Sequence, residues 1–337
     1  MFENIKEIYI MGCGALGKYL KKYFNTYTGI DFLGFIDNNQ IGENIFKPDE
    51  VDRNAAVIIG SINYMYEMTT QLKILGFKNI ITFAELTLIY PELQSYNKSY
   101  LGLKEDYENN KSEYEKIYDI LTDDKSKLVL DKIIEYRKTY SIDLYSQIAD
   151  SLNMQYCDEI APKNIGVYID GGAYNGDTVL RAIEHGFKTD KIYFFEPDDI
   201  SLNQAKENLK HIKNIKFFPY GLSDRESMFN FVSENSFSSH FSVTGDKQVK
   251  CVSLDEVVAE DKAFIKLDIE GAEKDAIIGA KRLLKNGSPF AICVYHKPKD
   301  IWEIPQLVQN ISNNGYKLYL RHYTNNILET VLYGVHK

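Results

Sequence analysis

Apolar positions along the chain fall into two stretches of the same rhythm, separated by a polar helical one. The first starts with an apolar run at 7–11, turns at Gly12-Cys13-Gly14-Ala15-Leu16-Gly17, and continues through Tyr19, Leu20 and Tyr23 at helical spacing. Further strands are expected at 32–36, 55–60 and 79–83, with a helix over 64–75. Strands alternating with helices at this spacing imply a parallel sheet of βαβ units.

From about 91 to 162 the chain turns to Lys, Glu, Asp, Tyr and Asn without strand patterning. Tyr114, Ile117, Ile120 and Leu121 recur at helical spacing there. Residues 127–140, with Leu128, Leu130, Ile133, Ile134 and Tyr136, read as an amphipathic helix. A second α/β stretch places strands at 166–169, 192–195, 215–218, 264–267 and 290–295. The last two strands, 316–323 and 328–335, are separated only by Thr324 to Ile327, so they must form an antiparallel hairpin, with Asn325-Asn326 suited to the reversal. The expected architecture is α/β: a Rossmann-like domain over 1–92, a helical connector over 93–162, and a second Rossmann-like domain over 163–337.

A length of 337 residues exceeds a usual single core, in agreement with two domains. The net charge of −9 leaves no basic excess to neutralise phosphates, which argues against nucleic acid as a partner. Cys13, Cys157, Cys251 and Cys293 form neither a Cys-x-x-Cys pair nor a dense framework, so reduced, separate thiols are expected. The N-terminal apolar run is too short to span a bilayer and lacks the features of a signal peptide, giving an expectation of cytoplasmic residence.

The chemistry concentrates in the second stretch. A strand runs into Asp170-Gly171-Gly172-Ala173-Tyr174-Asn175-Gly176-Asp177-Thr178, where glycines let the backbone approach a ligand and Asp170 can accept from an amino group. Glu196, twenty residues after Gly176, ends the next strand, and its carboxylate can accept both hydroxyls of a ribose; Pro197 follows it. Asp170 and Asp177 would repel a pyrophosphate, so a cationic sulfonium with an amino acid tail, S-adenosylmethionine, fits better than NAD. Gly221-Leu222-Ser223-Asp224 follows the third strand, where Ser223 and Asp224 would meet an adenine edge.

The fourth strand ends in Lys266-Leu267-Asp268-Ile269-Glu270-Gly271-Ala272-Glu273, placing carboxylates at the C-terminal edge of the sheet, where ligands of open α/β sheets bind. A base near a transferred methyl group would be His296, after the fifth strand, with Asp268 next and His322 behind it. Asp268, Glu270 and His296 could also ligate a divalent cation such as Mg²⁺. The stretch Asp224 to Lys250 has Ser, Phe and His240 concentrated at 233–242, an excursion suited to a carbohydrate acceptor or a plain hairpin extension.

These segments together resemble the FkbM family of methyltransferases. The resemblance rests on Asp170-Gly171-Gly172-Ala173, Phe195-Glu196-Pro197, Gly221-Leu222-Ser223-Asp224, Ser253-Leu254-Asp255, Ile265 through Glu273, Leu320-Arg321-His322-Tyr323 and Glu329-Thr330-Val331-Leu332-Tyr333, over about 155–335. It implies a class I methyltransferase sheet ending in an antiparallel hairpin, S-adenosylmethionine as cofactor, and O-methylation of a hydroxyl on a sugar, glycan or related small molecule. The chain has Cys157 after Gln155-Tyr156, where similar family members often have an aromatic residue.

In the first stretch Gly12, Gly14 and Gly17 fit the G-x-G-x-x-G pattern, with Asp37 twenty residues after Gly17 to hold a ribose. Through Ile10-Met11-Gly12-Cys13-Gly14 and Gly34-Phe35-Ile36-Asp37-Asn38-Asn39 this domain resembles the nucleotide-sugar-binding units of bacterial sugar acetyltransferases. That similarity implies a nucleotide-sugar ligand; a unit kept for packing or homo-oligomer formation is the alternative. Two rival functions remain at this level, an NAD-dependent oxidoreductase and a noncatalytic nucleotide-sugar-binding protein.

Overall fold

The computed structural model of the protein describes residues 5–232, 240–241 and 247–337. Two compact units emerge: one comprises the chain up to Leu103 with Ile133–Gln147, the other Lys104–Lys132 with Ile148–Lys337.

The first unit holds β1 (Glu7–Met11), β2 (Asp31–Ile36), β3 (Ile45–Phe46), β4 (Ala56–Ile59) and β5 (Asn79–Ile81) in a parallel sheet of order β3-β2-β1-β4-β5. All four residues of β4 are buried, as a central strand covered on both faces requires. The helix Ala15–Tyr27 buries Leu16, Leu20, Tyr23 and Phe24, one apolar stripe at helical spacing. The expected strand 79–83 stops at Ile81 because Thr82 caps the helix Phe83–Ile89: its hydroxyl accepts from Glu85 N, and the Glu85 carboxylate accepts from Thr82 N. The edge strand β3 was too short for its periodicity to show.

The second unit contains β6 (Asn164–Gly171), β7 (Lys188–Phe195), β8 (Ile215–Phe218), β9 (Gly221–Leu222), β10 (Ser227–Val232), β11 (His240–Phe241), β12 (Lys247–Val252), β13 (Phe264–Leu267), β14 (Phe290–Cys293), β15 (Tyr316–His322) and β16 (Thr330–His336). Its main sheet has the order β15-β16-β14-β13-β6-β7-β8, parallel except for β16, which runs antiparallel to both neighbours. The terminal hairpin therefore forms as its short connection requires. Leu328 N donates to Asn326 Oδ1 at 2.8 Å, and the Thr324 hydroxyl donates to Leu328 O at 2.6 Å, closing the turn.

Residues 221–252 build a smaller sheet of order β11-β10-β12-β9, in which β10 pairs antiparallel with β11 and β12. Its described part is a hairpin extension; most of the serine- and phenylalanine-rich stretch 233–242 lies outside the described residues. The helices Leu103–Asn109 and Lys111–Ile120 pack in this unit on the helix Asp300–Ser312, where Trp302 Nε1 reaches Asp106 Oδ2 at 3.2 Å and Gln306 donates to Glu113 at 2.8 Å. In the core beneath the sheet's helical cover Tyr168 stacks on Phe264, and Phe187 meets both rings edge-on.

Candidate functional site

The C-terminal ends of β6, β7, β13 and β14 converge at one edge. Across the β6–β13 pairing Lys266 stands opposite Asp170, with Nζ 3.0 Å from Oδ1, and the same ammonium donates to the carbonyls of Gly171 and Gly172 at 3.2 and 2.8 Å. Asp170 is wholly buried; burial pushes its carboxyl up against the pull of Lys266, to about 6. Its partner is Lys266, and its effect is to hold the carbonyls of the glycine turn from behind.

Gly172 has φ +69°, and a Cβ there would overlap the carbonyl oxygen of Asp268, so the turn lies directly on the β13 edge. Gly176, at φ +86°, caps the helix Asp177–Glu184, on which Thr178 is buried; Ala173 is buried in the turn itself.

Glu196 follows β7 and locks onto this turn. Its Oε2 accepts from Tyr174 N and its Oε1 from Asp198 N, both at 2.8 Å, while Gly172 N and Ala173 N donate to Phe195 O. Glu196 is 7% exposed, and burial raises its carboxyl to about 7 against those two N–H groups. Each oxygen keeps a further lone pair, the requirement for holding a vicinal diol. Pro197 is half-buried beside it. Ser223 is buried and donates to Asp224 Oδ1 at 3.3 Å; Asp224 is half-exposed and paired with Arg225.

On the other side of the glycine turn, Asp268 and His296 come together. His296 Nε2 lies 3.3 Å from Asp268 Oδ1 and 3.7 Å from Glu270 Oε2, and its Nδ1 lies 2.9 Å from Glu273 Oε1. Burial works against a charge on this imidazole, yet Glu273, Asp268 and Glu270 raise it to about 10, so it carries its proton at neutral pH. Burial pushes the Asp268 carboxyl up, but His296, Lys266 and Tyr156 together hold it below its ordinary value.

Sequence reasoning missed the residues behind Asp268. Tyr156 OH donates to Asp268 Oδ2 at 2.8 Å, and Tyr295 OH lies between Asp268 Oδ1 at 3.3 Å and Glu329 Oε1 at 3.4 Å, its one proton serving either carboxylate. Gln155 holds the other Glu329 oxygen, and burial with Asp268 nearby raises Glu329 to about 7. The sequence signals were Gln155-Tyr156, Tyr295 beside His296 and Glu329 just before the last strand; long-range register supplies the rest. His322 does not join this group. It is wholly buried on β15, bonded through Nδ1 to the Thr330 hydroxyl at 2.8 Å, and burial lowers it to about 4.

In the first unit, Gly12 and Gly14 lie between β1 and the helix Ala15–Tyr27, and Gly17 lies in the first turn of that helix, whose N-terminus has no side-chain cap. Asp37 follows β2, and its carboxylate accepts from Cys13 N at 3.2 Å and from Asn39 N and Gln40 N at 2.9 Å. The turn and Asp37 are thus brought together, with three backbone N–H groups already on the carboxylate.

Residues 170–318 match the family model of the methyltransferase FkbM domain. The whole chain is similar in fold to the FkbM methyltransferase of Methylobacillus flagellatus KT, with a TM-score of 0.80 at 19% identity over 98% of this chain and 90% of that one. Among other solved structures, an rRNA methylase of Streptococcus thermophilus gives a TM-score of 0.33 at 17% identity over 59% of this chain and 95% of that one. A fibrillarin of Aeropyrum pernix, a complex with S-adenosyl-L-methionine, gives 0.33 at 13% identity over 52% and 69%. No curated protein matches the chain.

Proposed function

We propose that this protein is an S-adenosylmethionine-dependent O-methyltransferase whose acceptor is a hydroxyl of a sugar, glycan or related small molecule. The observation that carries the reading is Glu196: a nine-tenths buried carboxylate fixed by two backbone N–H groups against the glycine turn, as a ribose site requires. The match of 170–318 to a methyltransferase domain supports the same reaction class.

The residues present fit the cofactor. Glu196 would take the ribose hydroxyls, Asp224 and Ser223 the adenine edge, and the Gly171-Gly172-Ala173 turn would lie along the amino acid tail. Bound there, S-adenosylmethionine supplies an electrophilic methyl group. Asp268, ionised and oriented by Tyr156, Tyr295 and His296, accepts the hydrogen bond of the acceptor hydroxyl and aligns its oxygen. Tyr295 links Asp268 to Glu329, a route by which the hydroxyl proton leaves the reacting edge. His296 positions Asp268, while His322 serves the packing of the hairpin.

Calorimetric titration with S-adenosylhomocysteine tests this reading on the intact chain, on Glu196→Ala and on Asp37→Ala. Binding lost only in the Glu196 variant supports it; binding lost only in the Asp37 variant moves the nucleotide to the first unit and favours the NAD or nucleotide-sugar alternative. The uncapped helix behind Gly14 supports a second nucleotide-type ligand there, a nucleotide-sugar, which the same Asp37 variant would lose.

A further inference from the structure

The cluster around His296 has the geometry of a coordination site. Asp268 and Glu270 flank the end of β13, and His296 follows β14; each offers one ligand atom, and the three atoms lie within 4.8 Å of one another. The separations of Nε2 from the two carboxylate oxygens, 3.3 and 3.7 Å, are unsuited to a strong hydrogen bond. They suit neighbouring ligands of one ion: donors about 2.1 Å from a hard divalent cation at right angles stand roughly 3 Å apart.

The imidazole supplies a second, independent observation. Its side chain is only 8% exposed, and Nε2, aimed between the two carboxylates, makes no hydrogen bond. The opposite nitrogen, Nδ1, faces Glu273 Oε1 at 2.9 Å, and that oxygen is itself fixed by Ile269 N at 2.8 Å. A carboxylate behind one ring nitrogen, with the other nitrogen presented to a gap lined by oxygen donors, is the outer-shell arrangement that orients metal-binding histidines.

We propose that Asp268, Glu270 and His296 bind a divalent cation of the Mg²⁺ or Mn²⁺ class. Two carboxylates and one imidazole leave open positions on the ion for oxygens of an acceptor. Loading the ion displaces the imidazole proton to solvent, because the same carboxylates that hold the proton attract the dication. The role of the ion toward an acceptor rests on the methyltransferase reading, whereas its binding does not.

The test is titration of the full chain with Mn²⁺, following the free ion by electron paramagnetic resonance, alongside Glu270→Gln and the control Asp261→Asn. Glu270 is 38% exposed at its side chain, so its substitution leaves the fold intact. Asp261 is a solvent-exposed carboxylate that precedes β13, at the opposite end of that strand from the cluster. The expected result is one Mn²⁺ per chain, weakened at least tenfold by Glu270→Gln and unchanged by Asp261→Asn. Absence of a stoichiometric site, equal binding by Glu270→Gln, or equal weakening by Asp261→Asn would overturn the inference. Titration of the same samples with S-adenosylhomocysteine separates the two readings: failure of Mn²⁺ alone removes the metal, failure of S-adenosylhomocysteine alone removes the methyltransferase assignment.

Discussion

Lys266 and Asp170 face each other on adjacent strands at 3.0 Å, both sealed from solvent, and the lysine reaches past its partner to the two carbonyls of the glycine turn. The pair ties the glycine turn to the strand that leads into Asp268, so a charge inside the sheet controls the shape of its edge. Replacing Lys266 with Met should leave Asp170 buried without its counter-charge and destabilise the protein by about 3–5 kcal/mol. Chemical denaturation measures this, and the double variant Lys266→Met with Asp170→Leu should recover much of the loss; a single variant as stable as the parent would contradict the coupling.

Glu196 gives a pH dependence with two opposite signs. Its carboxyl stands near 7 in the folded apoprotein because of burial, above an ordinary value of 4.5. Its contribution to stability is therefore full below about 4.5 and lost as pH rises through 7. Binding of a ribose diol needs the ionised carboxylate, so affinity for S-adenosylhomocysteine should fall up to about tenfold per pH unit below 7. Glu196→Gln should bind at least tenfold more weakly at pH 8, with the pH slope abolished and the melting temperature raised. Calorimetry at pH 6 and pH 8 reads both effects; an unaltered slope in the variant would assign the titration elsewhere.

Gly172 is the position least tolerant of a side chain. Its φ of +69° and the overlap of an added Cβ with the Asp268 carbonyl mean that Gly172→Ala must displace the β13 edge. A loss of about 2–4 kcal/mol is expected from backbone strain and overpacking together. Thermal unfolding should show the shift, and S-adenosylhomocysteine binding should weaken with it. By contrast, Gly186→Ala, another positive-φ glycine with open space around its Cβ position, should retain binding.

The chain Asp268–Tyr295–Glu329 predicts a separation of binding from turnover. Glu329→Gln should keep S-adenosylhomocysteine affinity while lowering methyl transfer from labelled S-adenosylmethionine to a sugar acceptor by roughly a hundredfold. Tyr295→Phe should lower it by a smaller factor, because it removes the link and leaves both carboxylates. His322→Asn, which alters the ring bonded to Thr330 within the hairpin, should cost stability and leave transfer per folded molecule unchanged; a selective loss of transfer there would return His322 to the reacting edge.

The sequence by itself determined the local elements and the order of the chemistry along the chain. Apolar runs, helical spacing and the short reversal at Thr324 to Ile327 are properties of neighbouring residues, so the parallel βαβ strands of both units and the terminal hairpin could be read directly. Glu196 and Asp268 could be placed at strand ends for the same reason. What only the tertiary structure decided is which charged groups meet, because that depends on strand register and burial. Asp170 could be seen to end a strand, but only the β6–β13 register puts Lys266 opposite it, both of them buried. His296 could be seen to follow β14, but the three carboxylates that hold its proton come from the turn after β13. Glu329 belongs to the site because β16 pairs with β14, a contact between segments far apart in the chain, and burial sets its proton affinity once that pairing forms.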